Sequence, residues 1–163
     1  MNKKDVYNYL DGLSIWYEVT EHEAVFNMEE LSKLDLPYDG CDAKNLFVRD
    51  DKKRDYYLIT VRGDKRVDLK EFKERNNTRR LTFCSEEDLF NKLGLTSGSV
   101  TPFGLLNDKN NLVKFYLDKD LILNEDSIIG IHPNDNTATV WMKSVNLVNI
   151  IKSLGNEVYI IEI

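Results

Sequence analysis

Four short segments of this 163-residue chain combine residue types that can do chemistry: EHEAVF around His22, CDAKNLF around Lys44, TSGSVTPFG around Gly98, and GIHPNDNTATV around His132. Each falls where a strand-like apolar run meets a polar loop, the place where a rigid sheet holds side chains while backbone groups stay free to bond. In the third segment, GSVTP sets successive backbone N–H groups between a glycine and a proline. Gly98 allows close approach of the main chain and Pro102 fixes the exit, so the loop suits a cradle for a carbonyl or a developing oxyanion. Ordinary turn chemistry explains the same composition, and both readings stay open. Lys44 shares a strand face with Leu46 and Val48, while Asn45, Phe47 and Arg49 face the other way. A lysine so placed either snorkels at the strand end or reaches into a pocket.

Other chemistries lack their residues. There is no GxSxG elbow, no GxxxxGKS or GxxxxGKT loop, no HExxH helix and no GxGxxG fingerprint. His22 and His132 are the only histidines and no carboxylates cluster at ligand spacing, so neither a metal nor a cofactor is expected. Cys41 and Cys84 form no CxxC pair and read as buried thiols. A Cys–His nucleophile would require residues distant in sequence to converge.

The elements that must position these segments can be read from periodicity and punctuation. Strand patterns appear at SIWYEV, at AKNLFVRD and YYLITVRG joined by a charged DDKKRD turn, at LTFC, LVKFYLD, SIIGIHP and TATVWM, and at EVYIIEI. Helical patterns run from Lys3 to Leu10, Asn27 to Leu34, Asp68 to Arg75, Glu86 to Leu93 and Val145 to Leu154. Asn27 followed by Glu30, Ser85 followed by acids, and Ser144 are start signals; Gly94 and Gly155 are stops. Helices do not alternate regularly with the strands, which argues for a mixed α+β domain over a doubly wound parallel sheet. The length suits one domain over 1–163. No apolar run reaches the roughly 20 residues of a membrane helix, and the start, MNKKDVYNYLDG, lacks the apolar stretch of a signal peptide, so a cytoplasmic protein with no membrane partner is expected.

The net charge of −6 disfavours indiscriminate nucleic-acid binding, but it is unevenly spread. Residues 62–80, RGDKRVDLKEFKERNNTRR, hold eight Lys and Arg against four Asp and Glu. A polyanion would dock through that patch, unless it is simply a solvated helix face.

Taken in order, TEHEAVF (20–26), AKNLFVR (43–49), GSVTPFG (98–104) and GIHPNDNTATV (130–140) resemble the signature regions of the YbaK and prolyl-tRNA synthetase-associated domain superfamily, nearest to its freestanding alanyl-tRNA(Pro) deacylases. KNLF, the GxxxP loop and HPNDNTA are specific in combination. The resemblance spans essentially the whole chain and implies a mixed, strongly curved β-sheet core with surrounding helices, and trans-editing: hydrolysis of alanine wrongly esterified to tRNA(Pro). Lys44 matches the lysine that family members require, with Asn45 beside it; Gly98 and Pro102 match the ends of the GxxxP loop, and Gly130 with His132 the histidine-containing strand end. His22 matches the first motif, although Glu23 stands where the family has proline.

An aminoacyl ester is already activated, and a thousandfold rate gain needs only about 4 kcal/mol of transition-state stabilisation. The resemblance therefore implies attack by water, with N–H groups from Gly98, Ser99, Val100 and Thr101 before Pro102 holding the oxyanion. Lys44 anchors the terminal phosphate or orients the carbonyl, and Gly130 and His132 form the opposite wall. His22, Asn45, Leu36 and Leu46 are the expected substrate contacts, with Leu36, Leu46 and Val100 as an apolar wall that sieves by size. Arg62, Lys65, Arg66, Lys70, Lys73, Arg75, Arg79 and Arg80 are the expected contacts to the acceptor stem, and RNNTRR a flexible loop closing over the terminal nucleotide. The implied partners are aminoacylated tRNA(Pro) and, secondarily, prolyl-tRNA synthetase. The rival readings are a deacylase for cysteine or another small amino acid, a noncatalytic module that carries tRNA or a synthetase, and a sensor of free amino acid.

Overall fold

The computed structural model describes residues 1–163. The elements, in chain order, are α1 (Lys3–Gly12), β1 (Tyr17–Glu21), α2 (Met28–Ser32), β2 (Ala43–Asp50), β3 (Tyr56–Arg62), α3 (Leu69–Asn76), β4 (Leu81–Phe83) and α4 (Glu86–Leu93). After a 3-10 turn over Pro102–Asn107 come β5 (Val113–Asp118), β6 (Ile128–Ile131), β7 (Ala138–Lys143), α5 (Ser144–Leu154) and β8 (Val158–Ile161).

Local chemistry accounts for the boundaries. The side chains of Asn27 and Ser85 accept from the N–H groups of Glu30 and Asp88, as their spacing predicts, and α4 and α5 end in left-handed Gly94 and Gly155. Ser144 behaves differently: it is the first helical residue, and its buried hydroxyl donates to the Leu121 carbonyl at 2.6 Å, so it ties α5 to the preceding loop and caps nothing. The α2 helix is shorter than its pattern, ending at Ser32 where the expectation ran to Leu34.

The strands divide into two sheets. Five lie in the order β4-β2-β3-β5-β8, with β2 antiparallel to β3 and β4, and β5 parallel to both β3 and β8. Three form the antiparallel sheet β1-β7-β6. The parity read from the sequence holds on β2 and β3. Ala43, Phe47, Tyr56 and Leu58 enter the main core, while Val48, Tyr57, Ile59 and Val61 pack with Phe72 of α3 on the opposite face. This mixed α+β core is the class of fold expected from the sequence.

The sheets meet where the chain enters β2. The Gly130 N–H donates to the Cys41 carbonyl at 2.9 Å, Asp42 and Gly130 form an isolated parallel bridge, and the Gly63 N–H donates to the Asp42 carbonyl at 3.0 Å. Gly130 is needed there for space: a Cβ would lie 2.3 Å from a ring carbon of Trp141. That ring is fully buried, and its Nε1–H donates to Thr20 Oγ1 at 3.0 Å. Gly130 is thus a packing and bridging residue and not part of a catalytic wall, a correction to its expected role.

Gly130→Ala is expected to destabilise the protein by about 1–3 kcal/mol through overpacking against Trp141. Urea unfolding checks it, and a midpoint matching that of the wild type would refute the packing account.

Candidate active site

The bridge at Asp42 sets the first residues of β2 beside the end of β6, and a cavity of about 280 Å³ opens there. Its lining brings together Lys44, Asn45, Gly98, Val100 and His132, all singled out in the sequence, with Val25, Phe26, Asn27, Met28, Leu31 and Ala43. The volume is near the small end of ligand pockets, which run roughly 300–1,000 Å³.

The polar groups around this cavity are held in place but not used up. Lys44 Nζ makes one long hydrogen bond, 3.5 Å to the Lys65 carbonyl, and no ion pair. Asn45 Oδ1 accepts from the hydroxyl of fully buried Thr60 at 2.5 Å, which fixes the amide and leaves its NH₂ as a donor without a protein acceptor. In the 94–101 loop the Ser99 N–H donates to the Thr96 carbonyl at 3.1 Å, and Ser99 Oγ donates to the same carbonyl at 2.9 Å. Ser99 therefore locks a turn, against the expectation that it joins the cradle. The N–H groups of Gly98 and Val100 have no protein acceptor. Gly98 sits at φ +90°, and a Cβ on it would meet Phe26 Cδ1 at 2.8 Å, so conformation and space both call for glycine.

Thr101 and Pro102 are buried behind the cavity and do not line it. Thr101 Oγ1 donates to the His132 carbonyl at 2.6 Å and so fastens the GSVTP loop to the end of β6. Pro102 opens the 3-10 turn that follows. The 133–137 turn holds the facing wall: Asn136 Nδ2 donates to the Val25 carbonyl at 2.8 Å, and the Val25 N–H returns a bond to the Asn136 carbonyl at 3.2 Å.

The two histidines take different roles. His132 Nδ1 lies 2.8 Å from the Ala138 carbonyl and must carry the proton to bond it, which leaves Nε2 as the free acceptor of a ring that lines the cavity. Burial lowers the pKa of His132; the bond to Ala138 opposes the shift and nearby His22 adds to it. His22 is spent: Nδ1 donates to the Glu23 carbonyl at 2.8 Å, and Nε2 accepts from Thr139 Oγ1 at 2.9 Å. Its ring lies 6.0 Å from that of His132 but outside the lining, so it buttresses the wall and does not touch the cavity, contrary to expectation.

Leu36 and Leu46 also stand outside the lining. Leu46 packs on the α3 side of β2, and Leu36 lies in the half-exposed stretch after α2. Of the expected wall only Val100 lines the cavity, and Val25, Met28, Leu31 and Ala43 complete its apolar side. The signal for this wall lies in AVFNMEEL: Met28 and Leu31, three residues apart, share one face of α2, and Val25 precedes the helix.

The basic segment is less available than its composition suggests. Lys65 Nζ binds Asp118, Asp120 and the Ile163 carbonyl at 2.7–3.2 Å, with its side chain largely buried, so it is an internal cation and not a tRNA contact. Arg62 pairs with Asp64, Arg75 with Glu71, and Arg79 in bidentate fashion with Asp51. Arg66, Lys70, Lys73 and Arg80 make no ion pair. RNNTRR is an ordered helix end, with Asn77 left-handed and the Thr78 N–H bonded to the Lys73 carbonyl. Its Arg79 is tied to Asp51, just beyond the far end of β2 from Lys44 and on the order of 20 Å away at about 3.3 Å per residue. It cannot close over the cavity.

Residues 22–150 match the family described as the aminoacyl-tRNA editing domain. The chain is 40% identical over 161 residues to the prolyl-tRNA editing protein ProX of Acetoanaerobium sticklandii, covering 99% of this chain and 97% of that protein. It is 31% identical over 150 residues to prolyl-tRNA synthetase associated domain-containing protein 1 of Bos taurus, covering 91% and 87%. Its fold superposes on a crystal structure described as a candidate trans-editing enzyme for prolyl tRNA synthetase, with a TM-score of 0.72 at 20% identity and 99% and 96% coverage.

His132 is expected to titrate below the ordinary value near 6.5. A pKa depressed by folding adds stability above the unfolded value and loses it as pH falls toward the folded one, so wild type should weaken below about pH 6.5 more steeply than His132→Asn. Imidazole NMR titration, and urea midpoints measured above and below pH 6.5, check this; a titration midpoint above 6.5 would refute it.

Proposed function

The chain belongs to the aminoacyl-tRNA editing domain family and is an aminoacyl-tRNA deacylase, and on that premise we propose that it acts in trans on tRNA(Pro), removing alanine esterified in place of proline. The observation that carries this reading is a small cavity with an apolar wall and unspent polar groups: Lys44 Nζ, the Asn45 amide, the N–H groups of Gly98 and Val100, and the acceptor nitrogen of His132.

Each group has work in ester hydrolysis. Water adds to the ester carbonyl carbon, and the bond from that carbon to the ribose oxygen then breaks, giving alanine and the tRNA hydroxyl. The N–H groups of Gly98 and Val100 and the Asn45 amide receive the developing oxyanion, and the Lys44 ammonium either adds charge stabilisation or holds the terminal phosphate. His132, neutral near pH 7 and anchored through Nδ1–H, offers Nε2 to the attacking water or a ribose hydroxyl. Val25, Met28, Leu31, Ala43 and Val100 close around the small side chain and exclude the proline ring. Cysteine is the competitor to consider, because so small a difference in side chain is worth only about 1–3 kcal/mol in such a pocket. Prolyl-tRNA synthetase is the proposed source of the mischarged substrate and a candidate partner. Arg66 and Lys70, the unpaired cations nearest in sequence to the turn that touches Lys44, are the proposed phosphate contacts.

The test is deacylation of tRNA(Pro) charged with alanine, cysteine or proline. Wild type should clear alanine and spare proline, and Lys44→Ala should lower the rate on the order of a hundredfold. Three stable esters would leave a binding module, and preferential loss of cysteine would replace the substrate. In tRNA binding, Arg66→Ala should reduce the slope of log affinity against log salt by about 0.7 to 0.9, whereas Arg79→Ala, already paired with Asp51, should change it less. An Arg66→Ala slope unchanged from that of wild type would remove the patch from the interface.

A further inference from the structure

A second cavity, of about 240 Å³, adjoins the first and shares Asn45 and Val100 with it. It continues along β2 past Leu46 and Phe47 to Phe83 and Cys84 of the β4 end, with Ser85, Glu86 and Leu89 of the α4 start and Ser97 completing the lining. Nothing in the hydrolytic step uses it. Phe83 at its far end pairs with Val48, three strand residues from Asn45 and on the order of 10 Å along the strand, a distance that one extended nucleotide and the base it carries span.

Its chemistry is specific. Phe83 is 62% exposed, on a three-residue edge strand whose Leu81 is buried. The Glu86 carboxylate makes no ion pair or side-chain hydrogen bond and sits on the rim. An exposed aromatic face beside a free carboxylate suits a nucleobase that stacks and donates from an exocyclic amine; stacking on aromatics is how unpaired strands are held, and a carboxylate accepts from cytosine N4. The acidic start of α4, with Glu86, Glu87 and Asp88, disfavours a phosphate in this cavity and leaves the neutral base as its occupant. The residue preceding the terminal adenosine of every tRNA is a cytidine.

We infer that this second cavity is a subsite for the penultimate cytosine of the substrate, stacked on Phe83 with its amine donated to Glu86, while the aminoacylated terminal nucleotide occupies the first cavity. The inference rests on the proposed deacylase reading. Asn45 and Val100 form the divider between the subsites, so seating the cytosine sets how deeply the ester enters. Phe83 thereby contributes to binding in register without touching the reacting atoms.

The experiment compares hairpin RNAs ending in CCA with hairpins abasic at the penultimate position, abasic at the terminal position, or carrying uridine in place of the penultimate cytidine. Binding is measured with alanine joined through a 3′ amide that cannot hydrolyse, and turnover with the ester. Phe83→Ala, at an exposed site, should fold normally, weaken binding of the CCA hairpin about tenfold and leave the penultimate-abasic hairpin unchanged. Glu86→Gln should narrow the preference for cytidine over uridine. Loss of equal size on both hairpins, loss that follows the terminal base instead, or no loss at all would overturn the subsite. If no ester is hydrolysed but binding keeps this base dependence, the deacylase reading fails and the subsite stands. If alanine is cleared with indifference to the penultimate base, the reverse holds.

Discussion

The short backbone junction between Cys41–Asp42 and Gly130 is the constraint on which the rest of this molecule depends. A five-stranded and a three-stranded sheet have no continuous ladder in common, and here they touch where one is about to begin and the other to end. That contact fixes Lys44 and Asn45 on one side and His132 on the other. The space behind Gly130 that admits Trp141 is what lets the strands approach so closely. Thr101, bonded to the His132 carbonyl, then draws the glycine loop into the same corner. The cavity is a consequence of three chain segments made to converge by main-chain hydrogen bonds, with side chains left free to face the ligand.

Charge is managed the same way. Positive groups that belong to the scaffold are neutralised where they stand: Lys65 is saturated by Asp118, Asp120 and a carbonyl, and Arg79 by Asp51. Lys44, by contrast, has only a distant carbonyl for company. In a chain of net charge −6, one cation kept unpaired in a cleft gives an anionic ligand a local target inside the cavity itself.

Much of this was legible in the sequence, and the failures have physical causes. Strand parity on β2 follows from alternation, so Lys44 and Asn45 could be assigned to opposite faces, and capping chemistry located most helix starts. Lys44, Asn45, Gly98, Val100 and His132 do meet around one cavity. Parity does not say what lies across from a strand, however. The sequence suggests Leu46 as a wall residue, but its face belongs to α3, and much of the wall comes from Val25, Met28 and Leu31, in and just before a helix whose pattern says nothing about its destination. Ser99, Thr101 and Gly130 sit within motifs and serve architecture, because motif membership does not separate a residue that touches ligand from one that holds the loop. Nor does composition show pairing: the arginines and lysines of 62–80 look alike in sequence, and only the fold reveals which already have a carboxylate.

The pairing of β1 with β7 carries a kinetic consequence. Thr20 and Trp141, joined by a hydrogen bond, are 121 residues apart, so β1 joins the β6-β7 pair only after a long loop has closed. The β2-β3 hairpin, by contrast, is local and can form early. The β6-β7 pair that bears His132 is equally local, so each wall of the cleft can organise by itself. What comes late is their meeting at Asp42 and Gly130, and a nascent chain acquires both walls before it acquires a site.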